Sequence, residues 1–259
     1  MLGMKITVLG CSGSVSGPDC PASGYLVDGP TGQFVMDLGP GTFGELQKYT
    51  NPSTVDLLLT HLHADHCLDI PALMIWRRYH PTGAAQSRNV LWGPADTALR
   101  VGHASAEIGE GIDDLSDSLE LRSLVSHESF DVAGVTVTPF PMVHPIEAYG
   151  FRLDVGGRSL AYTGDTAKTD EVIEMARGAD VLICEATWCA KDSDDPTIPP
   201  QMHMSGAEAG EAASRAGVTT LVLTHIPPYG DPEGAVEAAS RHYDGEIIVA
   251  ERGMVIDLP

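Results

Sequence analysis

Positive charge is scarce in this chain of 259 residues: Lys and Arg number 15 against 36 Asp and Glu, a formal net charge of -21 with histidines neutral. Neutralised phosphates supply most of a protein's affinity for nucleic acid, so this balance disfavours a nucleic-acid partner. The excess acid, Asp113, Asp114, Asp117 and Glu120 included, reads as solvated surface. No apolar run approaches a bilayer span, and Met1-Leu2-Gly3-Met4-Lys5 leads straight into the strand-like Ile6-Thr7-Val8-Leu9 without an apolar leader. A cytoplasmic protein with no membrane partner is expected. Cysteine is sparse too. Cys11, Cys20, Cys67, Cys184 and Cys189 are odd in number and show no CxxC spacing, which argues against a disulfide framework or zinc knuckle and for a reducing compartment. Short-period repeats and low-complexity linkers are also missing.

A hydrophobic content of 43% is enough for a sizeable core, and one domain over residues 1–259 is expected. Short apolar strands are predicted at Lys5–Leu9, Gly24–Val27, Gln33–Asp37, Val55–Leu59, Val135–Thr138, Gly150–Val155, Ser159–Tyr162, Asp180–Cys184, Thr220–Leu223 and Glu246–Ala250. Helical patterns cover Thr42–Tyr49, Leu68–Tyr79, Ala95–Ala106, Asp170–Arg177, Gly206–Ala216 and Glu233–His242, with Ser205 and Glu208 spaced as a capping box. Both halves open on strand hairpins and finish in strand–helix alternation. That order predicts an α/β protein of two face-to-face sheets with helices outside, a four-layer α/β/β/α sandwich. Lys191–Pro200, acidic and proline-rich, reads as an exposed loop, either a connector or a lid. Gly10-Cys11-Ser12-Gly13-Ser14 is a weak candidate for a backbone phosphate cradle.

The densest chemistry is Thr60-His61-Leu62-His63-Ala64-Asp65-His66, where a buried strand gives way to its loop. Packing does not require three imidazoles and a carboxylate in six positions, and such a set can serve two borderline metal ions. His144, Asp165 and His225 each follow an apolar strand, and strand ends of packed sheets converge on one edge. Gly164 removes a side chain where the backbone must approach the metals. His80, His103, His127 and His242 read as ordinary surface or core residues.

With His61, His63, Asp65 and His66 matching HxHxDH, the chain resembles the metallo-β-lactamase superfamily. Gly164-Asp165-Thr166, Cys184-Glu185-Ala186-Thr187, His203-Met204-Ser205-Gly206-Ala207-Glu208-Ala209 and Leu223-Thr224-His225-Ile226-Pro227-Pro228-Tyr229 resemble its ribonuclease Z branch. Ser23-Gly24-Tyr25-Leu26-Val27-Asp28 extends the likeness towards the N-terminus. The resemblance implies the metallo-β-lactamase fold, with His61, His63 and His144 on one metal, Asp65, His66 and His225 on another, and Asp165 bridging. Zinc is the first expectation for the two divalent ions, with manganese or iron as alternatives. A water held between two such ions has a pKa near about 7, and the ions neutralise a phosphoryl group under attack. Breaking a P–O bond to ribose also calls for a general acid, and Glu185 and His203 are the candidates. His203 lies just before a helix N-terminus that could face an anionic phosphate. In the resembling enzymes the matching pair assists the leaving oxygen, while the counterpart of Asp65 orients or deprotonates the water.

Ribonuclease Z inserts a tRNA-gripping arm between the counterparts of His144 and Asp165. Here they are 165 - 144 = 21 positions apart, filled by two short strands and a turn at Gly156-Gly157. The Gly10–Ser14 segment, Cys67-Leu68-Asp69-Ile70-Pro71 and Trp76-Arg77-Arg78-Tyr79-His80-Pro81 resemble bacterial cyclic-nucleotide phosphodiesterases of the superfamily. The expected activity is therefore hydrolysis of 3′,5′-cyclic AMP to 5′-AMP. Alternatives are tRNA 3′-processing, hydrolysis of another cyclic phosphate and, from a different class, a non-catalytic metal-binding module. The resemblance also suggests a homodimer, with Ile70–Trp76 as the contact.

Overall fold

Two hairpin-led halves build the molecule, whose computed structural model describes residues 3–191 and 195–259. In the first, β1 (Met4–Gly10), β2 (Gly24–Gly29) and β3 (Gly32–Leu38) run antiparallel, because a two-residue turn at Pro30-Thr31 folds β2 back onto β3. Helices then intervene: α1 (Thr42–Leu46), β4 (Asp56–Leu58), α2 (Ala64–Cys67), α3 (Ile70–Tyr79), β5 (Asn89–Gly93), α4 (Thr97–Ser105) and β6 (Leu119–Ser123). A helical crossover returns the chain to the same end of the sheet, so β3, β4, β5 and β6 pair in parallel.

The second half repeats the scheme. β7 (Phe130–Val132), β8 (Val135–Pro141), β9 (Tyr149–Val155) and β10 (Arg158–Tyr162) are antiparallel. They are followed by α5 (Asp170–Ala176), β11 (Val181–Glu185), α6 (Gly206–Ala216), β12 (Thr220–Thr224), α7 (Pro232–Ser240) and β13 (Glu246–Val249), with parallel strands from β10 onward. Finally β14 (Val255–Leu258) crosses back to pair with β1. The sheet orders are β14-β1-β2-β3-β4-β5-β6 and β13-β12-β11-β10-β9-β8-β7.

Between the sheets lies a core built on Tyr25, Phe34, Phe151, Leu153, Tyr162 and Ile183. Helices α1, α3 and α4 cover the first sheet over Leu38, Leu57, Leu73 and Leu91, and α5, α6 and α7 cover the second over Leu182, Ala213, Leu221 and Ala239. This is the expected α/β/β/α sandwich. On α6 the Ser205–Glu208 capping box closes with both hydrogen bonds. Small residues let α6 meet α7: a Cβ on Gly210 would strike the backbone carbonyl of Ala239.

Several sequence expectations are corrected. The helix expected over Leu68–Tyr79 starts at Ile70, separated from the short α2, because Asp69 spends its carboxylate on the Phe43 N–H and Pro71 suits a first helical turn. Within Ile70–Trp76, Ile70, Leu73 and Met74 are buried, whereas Ala72 and Ile75 are exposed, Ile75 at 59%. Asp113 and, at the exposed surface, Asp117 both pair with Arg78. Next to it Arg77 is buried and donates to Ser53 O, Ser87 O, Asn89 Oδ1 and both oxygens of Ser118, tying α3 to three loops. The strands β5, β6, β7 and β14 were not predicted. No helix among the described residues is long and apolar enough to cross a membrane. Met1 and Leu2, where no leader was expected, and Asp192–Asp194 of the Lys191–Pro200 loop lie outside the described residues.

Candidate metal centre

All seven expected ligands and the Glu185–His203 pair meet at one edge of the two sheets. The HxHxDH loop is fixed from below by Asp37, a buried carboxylate near the end of β3 with φ 58°. Its oxygens accept from Thr60 N at 2.8 Å, Thr60 Oγ1 at 2.9 Å, His66 Nδ1 at 2.8 Å and Tyr162 Oη at 2.9 Å. α2 then starts at Ala64, which carries Asp65 and His66 on its first turn. His144 sits three residues beyond β8 rather than at its end, and its Nδ1 donates to Met202 O at 2.8 Å. Asp165 follows Gly164, whose φ is 56°. A Cβ on Gly164 would lie 2.8 Å from Cβ of Thr60, so the glycine lets its backbone pack against the start of the HxHxDH loop. His225 follows β12 with φ 55°, its N–H bonded to Cys11 O at 3.0 Å. Left-handed backbone at non-glycine residues costs of order 1–3 kcal/mol each, and its recurrence at Asp37 and His225 marks a site held by its surroundings.

The donor atoms form two groups sharing one carboxylate: His61, His63, His144 and Asp165, and Asp65, His66, Asp165 and His225, each within 4.8 Å. Four imidazoles have Nδ1 engaged and Nε2 turned inward. His144 and His66 donate to acceptor-only oxygens, while His61 Nδ1 lies 3.0 Å from Thr60 Oγ1 and His225 Nδ1 2.8 Å from Thr187 Oγ1. Those hydroxyls give their own hydrogens to Asp37 and Glu185, so they accept from the rings. Lone pairs therefore converge: His63 Nδ1 is 3.2 Å from His61 Nε2 and 2.9 Å from His144 Nε2. Asp165 Oδ1 is buried without a hydrogen bond, although His66 Nε2 and His225 Nε2 stand 3.2 and 3.3 Å away. A buried acceptor among converging acceptors is unfavourable unless a cation lies between them, so the donor set fits divalent metal ions.

Burial, with neighbouring imidazoles, pushes His61 and His63 below the usual imidazole range, and burial does the same to His144, leaving neutral rings as metal binding requires. For His66 burial is outweighed by Asp165 and Asp37, which raise it well above that range; a divalent ion would take the place of its proton. Asp165 is held far down by His225 and His66 despite burial, and Asp65 likewise by His225 and His66.

Over both groups stands His203, 5.4 Å ring to ring from His144 and from His225. Its Nδ1 lies 3.1 Å from Glu185 Oε1. Glu185 is fully buried at the end of β11 and also accepts from Thr166 N, Thr187 Oγ1 and Met204 N. Burial opposes charge on His203, but Glu185 and then Asp165 prevail and raise its pKa to about 9. Glu185 thus orients the imidazole of His203, whose side chain is only 8% exposed, and favours its charged form.

Asp37, Thr60 and Thr187 were missed in the sequence, although a carboxylate inside the apolar Phe34–Leu38 run was a visible signal. The phosphate cradle at Gly10–Ser14 is not formed. Ser12 N and Gly13 N are spent on Pro21 O and Ile226 O, and Ser14 N points at His225 Nε2 at 3.4 Å.

Residues 33–226 match the family model of the beta-lactamase superfamily domain. Uncharacterized protein ML1173 of Mycobacterium leprae is 48% identical over 257 residues, 98% of this chain and 89% of that protein. The probable metallo-hydrolase YhfI of Bacillus subtilis is 28% identical over 255 residues, covering 97% of this chain and 99% of YhfI. Its crystal structure, described as a metallo-beta-lactamase fold protein, superposes with a TM-score of 0.85 at 26% identity, covering 98% and 99% of the two chains. A ribonuclease Z of Haloarcula marismortui is 27% identical over 307 residues, covering 97% of this chain and 96% of that enzyme.

Proposed function

Since the chain belongs to the beta-lactamase superfamily and is a metallo-hydrolase of its fold, we propose that it hydrolyses 3′,5′-cyclic AMP to 5′-AMP, as a two-metal phosphodiesterase. His61, His63, His144 and Asp165 would hold one ion, and Asp65, His66, His225 and Asp165 the other. Bound there, divalent cations supply an acidified water and neutralise phosphoryl charge. The chain's own groups do the rest. Asp37, Thr60, Thr187 and the Met202 carbonyl lock the imidazoles in the tautomers that face inward. Asp65, 3.0 Å from His225 Nε2, is the carboxylate placed to orient the attacking water.

The observation that carries the reading is the His203–Glu185 pair, 3.1 Å apart, with the His203 ring standing 5.4 Å from both His144 and His225. A ribose 3′ alkoxide is a poor leaving group, and a neighbouring imidazolium supplies the proton it needs. A small substrate is favoured because the connection from His144 to Asp165 is only the β9–β10 hairpin with its tight turn, and because the net charge is strongly negative. Turnover of cyclic AMP, cyclic GMP and a precursor tRNA, measured side by side on metal-replete protein, tests the proposal. Cyclic AMP is expected to yield 5′-AMP while the tRNA is left almost untrimmed; efficient trimming without cyclic AMP turnover would overturn it.

A further inference from the structure

Beside Thr224 and Ile226, the chain neighbours of His225, lies a cavity of about 510 Å³ walled also by Cys11, Cys20, Pro228 and Arg252. Cys11 Sγ and Cys20 Sγ are 3.5 Å apart across its wall, and all five cysteines are free. Among the described residues no other two thiols are in such contact. A disulfide needs the sulfurs about 2 Å apart, so bond formation asks for a closure of about 1.5 Å. The intervening strap, Ser12–Asp19, has no helix and only a bridge at Ser12, and it is held by Ser12 N on Pro21 O, Gly13 N on Ile226 O and Gly17 N on Cys20 O.

The two sulfurs differ in access and in charge. Cys20 is half-buried on the cavity, whereas Cys11 is buried, and its single S–H can go either to Cys20 Sγ or to Ala250 O, 3.2 Å away. Hydrogen bonding from Cys11 and the nearby Arg252 favour thiolate on Cys20. Thiolate character and access together select the first sulfur to react.

We propose that Cys11 and Cys20 are a reversible oxidation site, closed to a disulfide by a peroxide, and that closure acts on His225 through the strap. The Cys20 thiolate attacks the peroxide O–O bond, giving a sulfenic acid and releasing alkoxide or hydroxide, so sulfur is oxidised by two electrons and the peroxide reduced. Cys11 then loses its proton and attacks the sulfenic sulfur, forming the S–S bond; the displaced hydroxide and that proton make water. The strap transmits the movement because Cys11 O accepts the His225 N–H at 3.0 Å and Gly13 N bonds Ile226 O at 3.2 Å. Any effect on turnover rests on the phosphodiesterase reading; the thiol chemistry does not.

The test treats reduced full-length protein with hydrogen peroxide, alkylates the remaining thiols after unfolding, and maps the peptides by mass. One Cys11–Cys20 linked peptide per chain is expected, with Cys67, Cys184 and Cys189 still alkylated, and dithiothreitol restores the starting map. Cys20→Ser should abolish the link without changing basal turnover, and Cys11→Ser should leave Cys20 as a sulfenic acid trapped by dimedone. Peroxide leaving both thiols alkylatable, or carrying Cys20 to sulfinic acid without a link, would overturn the site. Turnover of a chromogenic phosphodiester should fall with the extent of linkage and recover on reduction; linkage with unchanged turnover would overturn the coupling to His225. If the reduced protein cleaves no phosphodiester, the functional reading fails while the peptide map still decides the thiol pair.

Discussion

Glu185 accepts from His203 at 3.1 Å and is itself buried, so the imidazole proton is stabilised and its pKa stands at about 9. His203→Ala should retain both metals but lower cyclic AMP turnover by roughly 10²–10⁴-fold, the range for a lost general acid. The loss should shrink for a nitrophenyl phosphodiester, whose leaving group needs little protonation; equal loss on both substrates, or loss of metal, would refute the assignment. The pH profile follows in sign. A raised pKa keeps His203 protonated at neutrality, so activity is full there and falls as pH rises through the basic limb. Bound cations lower that value, which places the limb at or below about 9 in the native protein, and it should vanish in His203→Ala. Asp37→Asn exchanges an acceptor of four hydrogen bonds for an amide that must turn a donor towards one of them. Metal affinity, measured by chelator competition, should drop about 10–100-fold; unchanged affinity would make Asp37 purely structural. The HxHxDH ligands were legible because they crowd one loop, whereas Asp37 acts from 29 positions before His66 and only folding brings it there.

Among elements, α6 was readable to its ends because its start is written locally in Ser205 and Glu208 and its stop in Gly217, which has φ 70°. What lies across from it was not readable. Gly210 looks like a helix defect that alanine would improve by up to about 1 kcal/mol. Contact with the Ala239 carbonyl reverses the sign, since the new methyl must push α7 away. Gly210→Ala should therefore destabilise by about 1–3 kcal/mol in urea unfolding, and a gain in stability would show that the two helices separate freely. Strands β6 and β7 escaped prediction because Glu120, Arg122 and Asp131 interrupt their apolar pattern, and β14 because Asp257 does the same on a sheet edge.

For the whole molecule, hairpins followed by strand–helix alternation, occurring twice, announced two sheets with helices outside. The consequence for chemistry is that His61, His63, Asp65 and His66 come from the loop after β4 and from α2, beside the first sheet, and His144, Asp165 and His225 from loops of the second. Each donor group draws on both halves, so the candidate centre exists only when the sheets are packed. Asp165, shared by the two groups with one buried oxygen lacking a hydrogen bond, is the residue on which a two-metal centre turns. A crystal of zinc- or manganese-replete protein, phased on the metal's anomalous signal, tests it directly. Two ions about 3.5–4 Å apart with Asp165 between them are predicted; a single ion, or Asp165 turned away from both, would contradict the account.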